Sequence, residues 1–154
     1  MLTFRSYQST DFNDLEPMIF DLYADDKATT VGSMSTENVV KTIERLQKSP
    51  AELDILIFTI QNQVVGYALL TWFWSNEFGG RMLLIDELLV KESFRNQGIA
   101  IRFFDYLFSE NRYGEVGYLL EVGTEKKKTT AFYERMGFQP FKTKHLFRLS
   151  HREI

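Results

Sequence analysis

The amino-acid sequence predicts one α/β domain built on a mixed sheet, mostly antiparallel with one parallel pair of strands, and flanked by about four helices. Six segments carry the alternating or continuous apolar pattern of strands, and four carry apolar residues at helical spacing. Single helices separate the later strands, and a helix that connects two strands of one sheet favours parallel pairing. The chain has 154 residues, 44% of them apolar, which is enough for one compact core. We therefore assign residues 1–154 to a single domain.

The N-terminal third is predicted to contain one strand and two helices. Residues 2–7 alternate apolar and polar side chains, as a strand with one buried face does. Apolar residues at three- and four-residue spacing then predict a helix that ends near Tyr23 and a second helix that ends before Pro50. The candidate capping residues are Thr10 or Asp11 for the first helix and Ser35 or Thr36 for the second.

Three long apolar segments form the predicted centre of the sheet. Residues 53–60 and 64–74 are rich in β-branched and aromatic side chains, and Gln61-Asn62-Gln63 separates them, which indicates an antiparallel hairpin. A third strand covers Met82 to Val90 and follows a loop that ends at Gly79-Gly80. These three strands are therefore predicted to form a meander.

The C-terminal part is predicted to alternate helices and strands. A strongly apolar helix begins near Ala100 and is terminated by Gly114. A fifth strand covers Val116 to Val122, and a short helix follows over residues 129–136. Phe138 to Leu149 is predicted as the final strand.

Composition and charge exclude several classes of function. The net charge of −3 argues against nucleic acid as a partner, because phosphate binding needs a concentrated basic face. The chain has no cysteine, which excludes disulfides, a thiolate metal site and a cysteine nucleophile. The two histidines, His145 and His151, lack metal-ligand spacing, so we predict no metal. Neither a membrane span nor the apolar region of a signal peptide is evident, so we expect a soluble cytoplasmic protein with no membrane partner.

One loop carries the residues of an anion site. The strand that ends at Val90 is followed by Arg95-Asn96-Gln97-Gly98-Ile99-Ala100 at the start of a helix. The first N–H groups of a helix lack intrahelical partners and the macrodipole is positive there, so this position suits a phosphate. Gly98 allows close approach of the backbone, and Arg95 adds a charge that can form two parallel hydrogen bonds. The loop lacks the glycines of a P-loop or a Gly-x-Gly-x-x-Gly fingerprint. It is a candidate pyrophosphate cradle, with a plain strand-to-helix turn as the alternative.

Two motifs together resemble a known family. The loop matches Arg/Gln-x-x-Gly-x-Gly/Ala at Arg95, Gly98 and Ala100, and a later run, Phe132-Tyr133-Glu134-Arg135-Met136-Gly137-Phe138, matches Phe/Leu-Tyr-Glu followed by Gly-Phe. Together with Leu120-Glu121-Val122, this pattern resembles the GNAT family of acetyl-CoA-dependent N-acetyltransferases over nearly the whole chain. The run from Gly79-Gly80-Arg81 to Val90, with the preceding Trp72-Phe73-Trp74-Ser75, looks like the diamine and polyamine acetyltransferase branch.

The resemblance implies a fold and a cofactor. It implies the GNAT acyl-CoA N-acyltransferase fold, in which two parallel strands splay apart, with acetyl-CoA as the acyl donor and coenzyme A as the product. Strand backbone is expected to hydrogen-bond the amide-rich pantetheine arm, and the loop is expected to hold the pyrophosphate. The full set of expected cofactor-binding residues is Leu88, Leu89, Val90, Arg95, Asn96, Gln97, Gly98, Ile99, Ala100, Ile101 and Lys126.

Two departures from the family pattern affect this expectation. Lys126 stands where the family often has an asparagine that helps to hold the cofactor, so that local contact is in doubt. The run Lys126 to Lys128 either meets the 3′-phosphate of the cofactor or starts a solvated helix. Lys91-Glu92-Ser93 replaces an Asp-Pro turn.

Acetylation of an amine requires a proton acceptor. An alkylammonium with a pKa near 10.4 is neutral in only about one molecule in 2,500 at pH 7, so a carboxylate that takes its proton accelerates the reaction. The candidate proton acceptors are Asp86, Glu87 and Glu121. The resemblance implies that Tyr133 lies near the thioester sulfur as a general acid, with a plain core aromatic as the alternative. Asp86 and Glu87 are neighbours on a strand and are expected to face opposite sides of the sheet, so one of them is merely solvated or paired with Arg81.

The acceptor is expected to be a small primary amine, polyamine-like or amino-acid-like. Asp25, Asp26, Asp86 and Glu121 are the candidate substrate-binding residues, because carboxylates at a cleft mouth attract a cationic amine. Simple solvation is the alternative for Asp25-Asp26. Two other functions stay open: a protein N-terminal acetyltransferase, for which Glu121 would be the base, and a non-catalytic acyl-CoA-binding module. A homodimer is expected from the resemblance.

Overall fold

The computed structural model describes residues 1–25, 32–142, 146, 148 and 150, which form one five-stranded sheet and four α-helices. The mixed α/β fold predicted from the sequence is confirmed. In chain order the elements are β1 (Leu2–Ser6), α1 (Phe12–Asp25), α2 (Thr36–Lys48), β2 (Leu53–Ile60), β3 (Gln63–Ser75), β4 (Gly80–Val90), α3 (Ile99–Glu110), β5 (Glu115–Leu120) and α4 (Lys127–Arg135).

The strands lie side by side in their chain order. β1 to β4 pair antiparallel, whereas β4 and β5 pair parallel, with α3 as the connection between them. The β2–β3 hairpin turns at Gln61 and Asn62, whose φ angles are 50° and 66°. This left-handed conformation gives a two-residue turn the twist that its flanking strands need. The predicted meander and parallel pair are both confirmed.

A β-bulge interrupts β4 at Asp86. On β3, Leu69 pairs with Glu87 and the next residue pairs with Ile85, which leaves Asp86 outside the register. One extra residue reverses the alternation of the side chains that follow it. In a regular strand, positions 85 and 89 would share one face of the sheet. Here Ile85 packs into the core cluster beneath α3, whereas Leu89 packs into the cluster beneath α1 and α2.

Aromatic packing attaches α4 to α3. Phe104 of α3 is fully buried. Its ring lies 6.1 Å from that of Phe132, 5.9 Å from that of Tyr133 and 5.6 Å from that of Phe138, measured between centroids. The Tyr133 and Phe138 rings meet it near edge-on, which aromatic quadrupoles favour. This packing determines the position of Tyr133.

The predicted helix caps are partly correct. Ser35 caps α2, because its side chain accepts a hydrogen bond from the backbone N–H of Asn38. Asp11 lies in a short 3₁₀ turn before α1, where its carboxylate accepts the N–H of Gln8 and pairs with Arg5 at 2.7 Å. The cap predicted at Thr10 or Asp11 is therefore wrong, because both residues belong to the 3₁₀ turn that leads directly into α1, and Gln8 occupies the capping position of that turn.

Two predicted boundaries at the C-terminal end also differ. α3 ends at Glu110, because Asn111 adopts the left-handed conformation with φ of 41°, so Gly114 is not its terminator. Residues 138–142, predicted to begin a final strand, form no strand, and the rest of that segment lies largely outside the described residues, as do His145 and His151. Within the described ranges, no helix is long and apolar enough to cross a membrane.

Candidate active site

A cleft opens where β4 and β5 separate. The last paired residues of the two parallel strands are Ile85 and Leu120, and β4 continues beyond them to Val90. This agrees with the expected splay of two parallel strands. The cleft has a volume of about 1370 Å³ and is bounded by the ends of α1, α2 and β5, by the β4 bulge, and by α4 with the residues after it.

Two carboxylates stand at the point of separation. Asp86 and Glu121 directly follow the last paired residues of their strands, and both line the cleft. Asp86 is exposed to the cleft, yet the protein around it removes enough water that desolvation is the main cause raising the pKa of its carboxyl. The negative charge of Glu121 raises that pKa further. A carboxylate with a raised pKa is a stronger proton acceptor than a fully hydrated one.

Glu87 lines the same cleft but is only 6% exposed. Its Oε1 accepts a hydrogen bond from the Tyr23 hydroxyl and its Oε2 accepts one from the Tyr67 hydroxyl, each at 2.8 Å. The pKa of the Glu87 carboxyl is raised above its usual value: burial is the main cause, the hydrogen bonds from Tyr67 and Tyr23 offset part of the rise, and the charge of Asp86 adds to it. The prediction that Asp86 and Glu87 face opposite sides of the sheet is wrong, because the bulge turns both towards one cleft.

Tyr133 lines the cleft from α4. Its ring is half-buried and contacts Phe104, Phe132 and Phe138, with centroids 5.4 to 5.9 Å away. The residue therefore has the packing of a core aromatic and a position on the cleft wall, so both interpretations made from the sequence are compatible with its placement.

The predicted cradle lies at the far end of β4. Gly98, with φ of 74°, precedes α3, and the first intrahelical hydrogen bond runs from the N–H of Arg102 to the Gly98 carbonyl at 3.0 Å. The N–H groups of residues 99–101 therefore lack intrahelical acceptors. A Cβ built on Gly98 would meet no atom within 4 Å, so the space above this turn is open. These features fit a phosphate group.

The side chains of the loop hold its shape. Arg95 donates from Nε to the carbonyl of Val90 at 2.9 Å, and Gln97 donates from its side chain to the carbonyl of Ser93 at 3.3 Å. Asn96 adopts a left-handed conformation with φ of 60°, which asparagine tolerates better than most residues. Arg95, Asn96 and Gln97 are exposed, and no residue of the loop is part of the cleft wall. The four residues of β4 that follow Asp86 lead towards this loop, and they correspond to about 13 Å of extended strand.

The remaining predicted site residues are not brought into the cleft wall. Asp25 is exposed at the end of α1 and does not line the cleft, whereas Asp26 lies outside the described residues. Lys126 precedes α4 and also lies outside the cleft wall. The backbone of Leu88 to Val90 forms the end of β4, between the cleft and the loop.

Sequence reasoning missed Tyr23 and Tyr67. Tyr67 lies on β3 two residues from Leu69, the partner of Glu87, and so shares its face of the sheet. Only the register of the meander together with the bulge brings its hydroxyl to Glu87. Tyr23 closes the apolar pattern of α1, and nothing in that pattern indicates a contact with β4. Glu134 was also missed as a fourth acidic residue of the cleft wall.

Comparison with known proteins identifies the family. A family model described as an acetyltransferase (GNAT) domain matches residues 51–140. No curated protein gives a significant match to the sequence. The chain resembles the crystal structure of a possible acetyltransferase from Clostridium difficile 630, with a TM-score of 0.82, 19% identity and coverage of 98% of this chain and 99% of that one.

Two further structures have the same fold. One is AAC(6')-Iy in complex with the bisubstrate analog CoA-S-monomethyl-acetylneamine, with a TM-score of 0.76, 15% identity, and coverage of 98% and 99% of the two chains. The other is a ribosomal-protein-alanine N-acetyltransferase from Brucella melitensis biovar Abortus 2308, with a TM-score of 0.74, 15% identity, and coverage of 97% and 100%. At such identities the likeness establishes the fold alone.

Proposed function

Because the chain belongs to the GNAT acetyltransferase family, we propose that it transfers acetyl from acetyl-CoA to a primary amine of a small cationic molecule, polyamine-like or amino-acid-like. The charge of the cleft carries this proposal. Asp86, Glu87, Glu121 and Glu134 line it, and none of the described residues along its wall is a lysine, arginine or histidine. Carboxylates in a partly desolvated cleft attract a cation more strongly than those exposed to bulk water do.

The aromatic part of the wall supports an amine acceptor with apolar or methylene segments. The rings of Phe108, Tyr118, Tyr133 and Phe138 line the side of the cleft nearer α4. Aromatic faces stabilise an ammonium group through their quadrupole and also pack against methylene chains. A linear polyamine combines both features, which is why we place it first among the candidate acceptors.

The residues of the loop and of the end of β4 are suited to bind the acyl donor, acetyl-CoA. The N–H groups at the start of α3 and the Arg95 guanidinium would hold the pyrophosphate, and the backbone of residues 88–90 would hold the pantetheine arm. When bound, acetyl-CoA supplies an acetyl thioester. Transfer to an ammonium acceptor yields the N-acetyl amide, the thiol of coenzyme A and one proton.

Side chains of the cleft have to accept and donate the protons that this reaction moves. Asp86 accepts a proton from the ammonium, so that the nitrogen lone pair becomes available for attack on the thioester carbonyl. Glu121, across the gap between the strands, helps to hold the cation beside Asp86. Tyr133 is suited to give a proton to the departing sulfur. A thiol with a pKa near 8.5, by analogy with cysteine, leaves readily without help, so this role is the smaller one.

A panel of acceptors tests the proposal. Thiol release from acetyl-CoA is measured with linear polyamines, aminoglycosides, free amino acids and short peptides, at a fixed concentration of the full chain. We expect the highest turnover with a polyamine or an amino acid. Turnover with peptides alone would replace the proposal with protein N-terminal acetylation. Binding of coenzyme A without thiol release for any amine would leave an acyl-CoA-binding module.

A further inference from the structure

Two hydrogen bonds from phenol groups to Glu87 carry an inference that rests on the proposed function and extends it. Tyr67 is fully buried on β3, and its hydroxyl donates to Glu87 Oε2. Tyr23, in the last turn of α1, donates to Oε1 of the same carboxylate. We propose that Tyr23 and Tyr67 are positioning residues for amine acetylation: they hold Glu87 as a fixed carboxylate beside Asp86, and Asp86, not Glu87, accepts the proton of the amine.

The hydrogen bonds account for this division of roles. A carboxylate that accepts one bond on each oxygen is held in one orientation and is stabilised in its ionised form. Burial and the adjacent charge of Glu87 raise the pKa of the Tyr67 phenol far above its usual value, so this group stays a donor across the whole working pH range. Glu87 is also only 6% exposed, whereas Asp86 is open to the cleft and can reach an incoming ammonium.

The groups that face Glu87 act on its pKa in both directions, because the two phenols lower it and Asp86 raises it. Glu87 is faced by Tyr23 from α1, by Tyr67 from β3 and by Asp86 of β4. Glu121, beyond the end of β5, faces Asp86 in turn. The coupling between the two carboxyls is mutual: the charge of Asp86 raises the pKa of Glu87, and an ionised Glu87 increases the affinity of Asp86 for a proton. Asp86 therefore becomes a better match to an amine whose proton it has to take near neutral pH.

The Tyr23 contact also links the helix to the bulge. Residues 32–34, between α1 and α2, line the cleft, and Tyr23 is two residues from the end of α1. The Tyr23 hydrogen bond joins this end of α1 to the strand that carries Asp86. Loss of the Tyr23 hydroxyl is therefore expected to change the KM for the amine as well as kcat.

Steady-state kinetics across pH test the inference in Y23F, Y67F, E87Q and D86N, with the acceptor that the wild type turns over fastest. In Y67F, Glu87 loses a donor to its charged form and takes up a proton at higher pH, so less negative charge acts on Asp86 and the acidic limb of kcat/KM shifts to lower pH. In E87Q the charge beside Asp86 is absent at every pH, so the limb shifts to lower pH. We expect kcat to fall about tenfold or less in E87Q and at least about a hundredfold in D86N.

A matched control is available at the opposite end of the sheet. The Tyr113 hydroxyl donates to Asp54 Oδ2, also at 2.8 Å, in a part of the molecule remote from the cleft. Y113F removes a comparable bond and is expected to leave the pH profile and the KM for the amine unchanged. Thermal unfolding of each variant shows whether a loss of activity is due to a smaller folded fraction. Y23F serves in place of Y67F if the latter does not fold.

Several outcomes would overturn the inference. Equal pH profiles in wild type, Y67F and E87Q would reduce the two phenols to a structural role. Near-complete loss of turnover in E87Q with activity kept in D86N would make Glu87 the proton acceptor. If the wild type acetylates no amine, the proposed function fails, and a carbon-13 NMR titration of the carboxyl groups still tests the inference. There, E87Q should lower the titration midpoint of Asp86, and an unchanged midpoint would refute it.

Discussion

The Arg95 side chain donates a hydrogen bond from Nε to the backbone carbonyl of Val90 over 2.9 Å, and so joins the candidate cradle to the end of β4. This bond uses one of the five N–H groups of the guanidinium, and the side chain is exposed. The same residue can therefore shape the loop and contact an anion. The hydrogen bond therefore attaches this loop to the end of β4.

Replacing Arg95 by alanine is expected to weaken coenzyme A binding about 10- to 100-fold. A hydrogen bond to a charged group contributes roughly 1.5–3 kcal/mol, and about 1.4 kcal/mol corresponds to tenfold in affinity. Isothermal titration calorimetry measures the effect. Arg45→Ala is the matched control, because Arg45 pairs with Glu52 on the surface and should leave the affinity unchanged. Equal affinities in both variants would remove Arg95 from the cofactor site.

Asp86→Asn and Tyr133→Phe are expected to separate catalysis from binding. Loss of the proton acceptor should lower kcat by about 10²- to 10⁴-fold, while loss of the Tyr133 hydroxyl should cost about tenfold or less. Neither change touches the cradle, so the affinity for coenzyme A should stay within about twofold. Asp105→Asn, an exposed position on α3, is the control. Unaltered turnover in both variants would dismiss the assigned roles.

Asp86→Asn is also expected to stabilise the fold at neutral and alkaline pH. Burial and the charge of Glu121 raise the pKa of Asp86, so the folded protein holds this proton more tightly than the unfolded chain does. The ionised carboxyl is thus unfavourable to folding above that pKa, and stability increases as the pH falls through it. Denaturant unfolding from pH 4 to 8 should give a gain for the variant that shrinks towards the acidic end. A gain that grows instead as the pH falls would contradict the sign of the shift.

Gly66→Ala is expected to destabilise the protein by roughly 1–3 kcal/mol through overpacking of the sheet. A Cβ at this position would lie 2.5 Å from the carbonyl oxygen of Leu89 and 2.9 Å from the Phe58 ring. Gly32→Ala is the control, because a Cβ there meets nothing within 4 Å. Chemical denaturation measures both. Because Leu89 belongs to the strand end expected to hold the pantetheine arm, coenzyme A binding should weaken in Gly66→Ala as well, and equal stability of the two variants would refute the close contact.

Much of the fold follows from local patterns in the chain. The β2–β3 hairpin, the start of α2 at Ser35 and the turn at Gly98 depend on nearest neighbours: turn residues, a capping hydroxyl and a glycine with positive φ. Such signals act over a few residues and can therefore be recognised in the sequence itself. Two predicted helix ends, Asp11 and Gly114, were wrong because the helix boundary lies a few residues earlier: a 3₁₀ turn capped by Gln8 precedes α1, and the left-handed Asn111 ends α3.

The sequence alone determined the order of the elements from β1 to α4, the parallel pair, the loop from Arg95 to Ala100 and three of the four acidic residues of the cleft wall, because apolar periodicity and short motifs are properties of neighbouring residues. Only the tertiary structure decided how the acids are arranged. The bulge at Asp86 arises from pairing between β3 and β4, and it turns Asp86 and Glu87 towards one cleft although alternation predicts opposite sides. Likewise, Tyr23 and Tyr67 reach Glu87 from 64 and 20 residues away, and no local pattern encodes a contact that strand register and helix packing create.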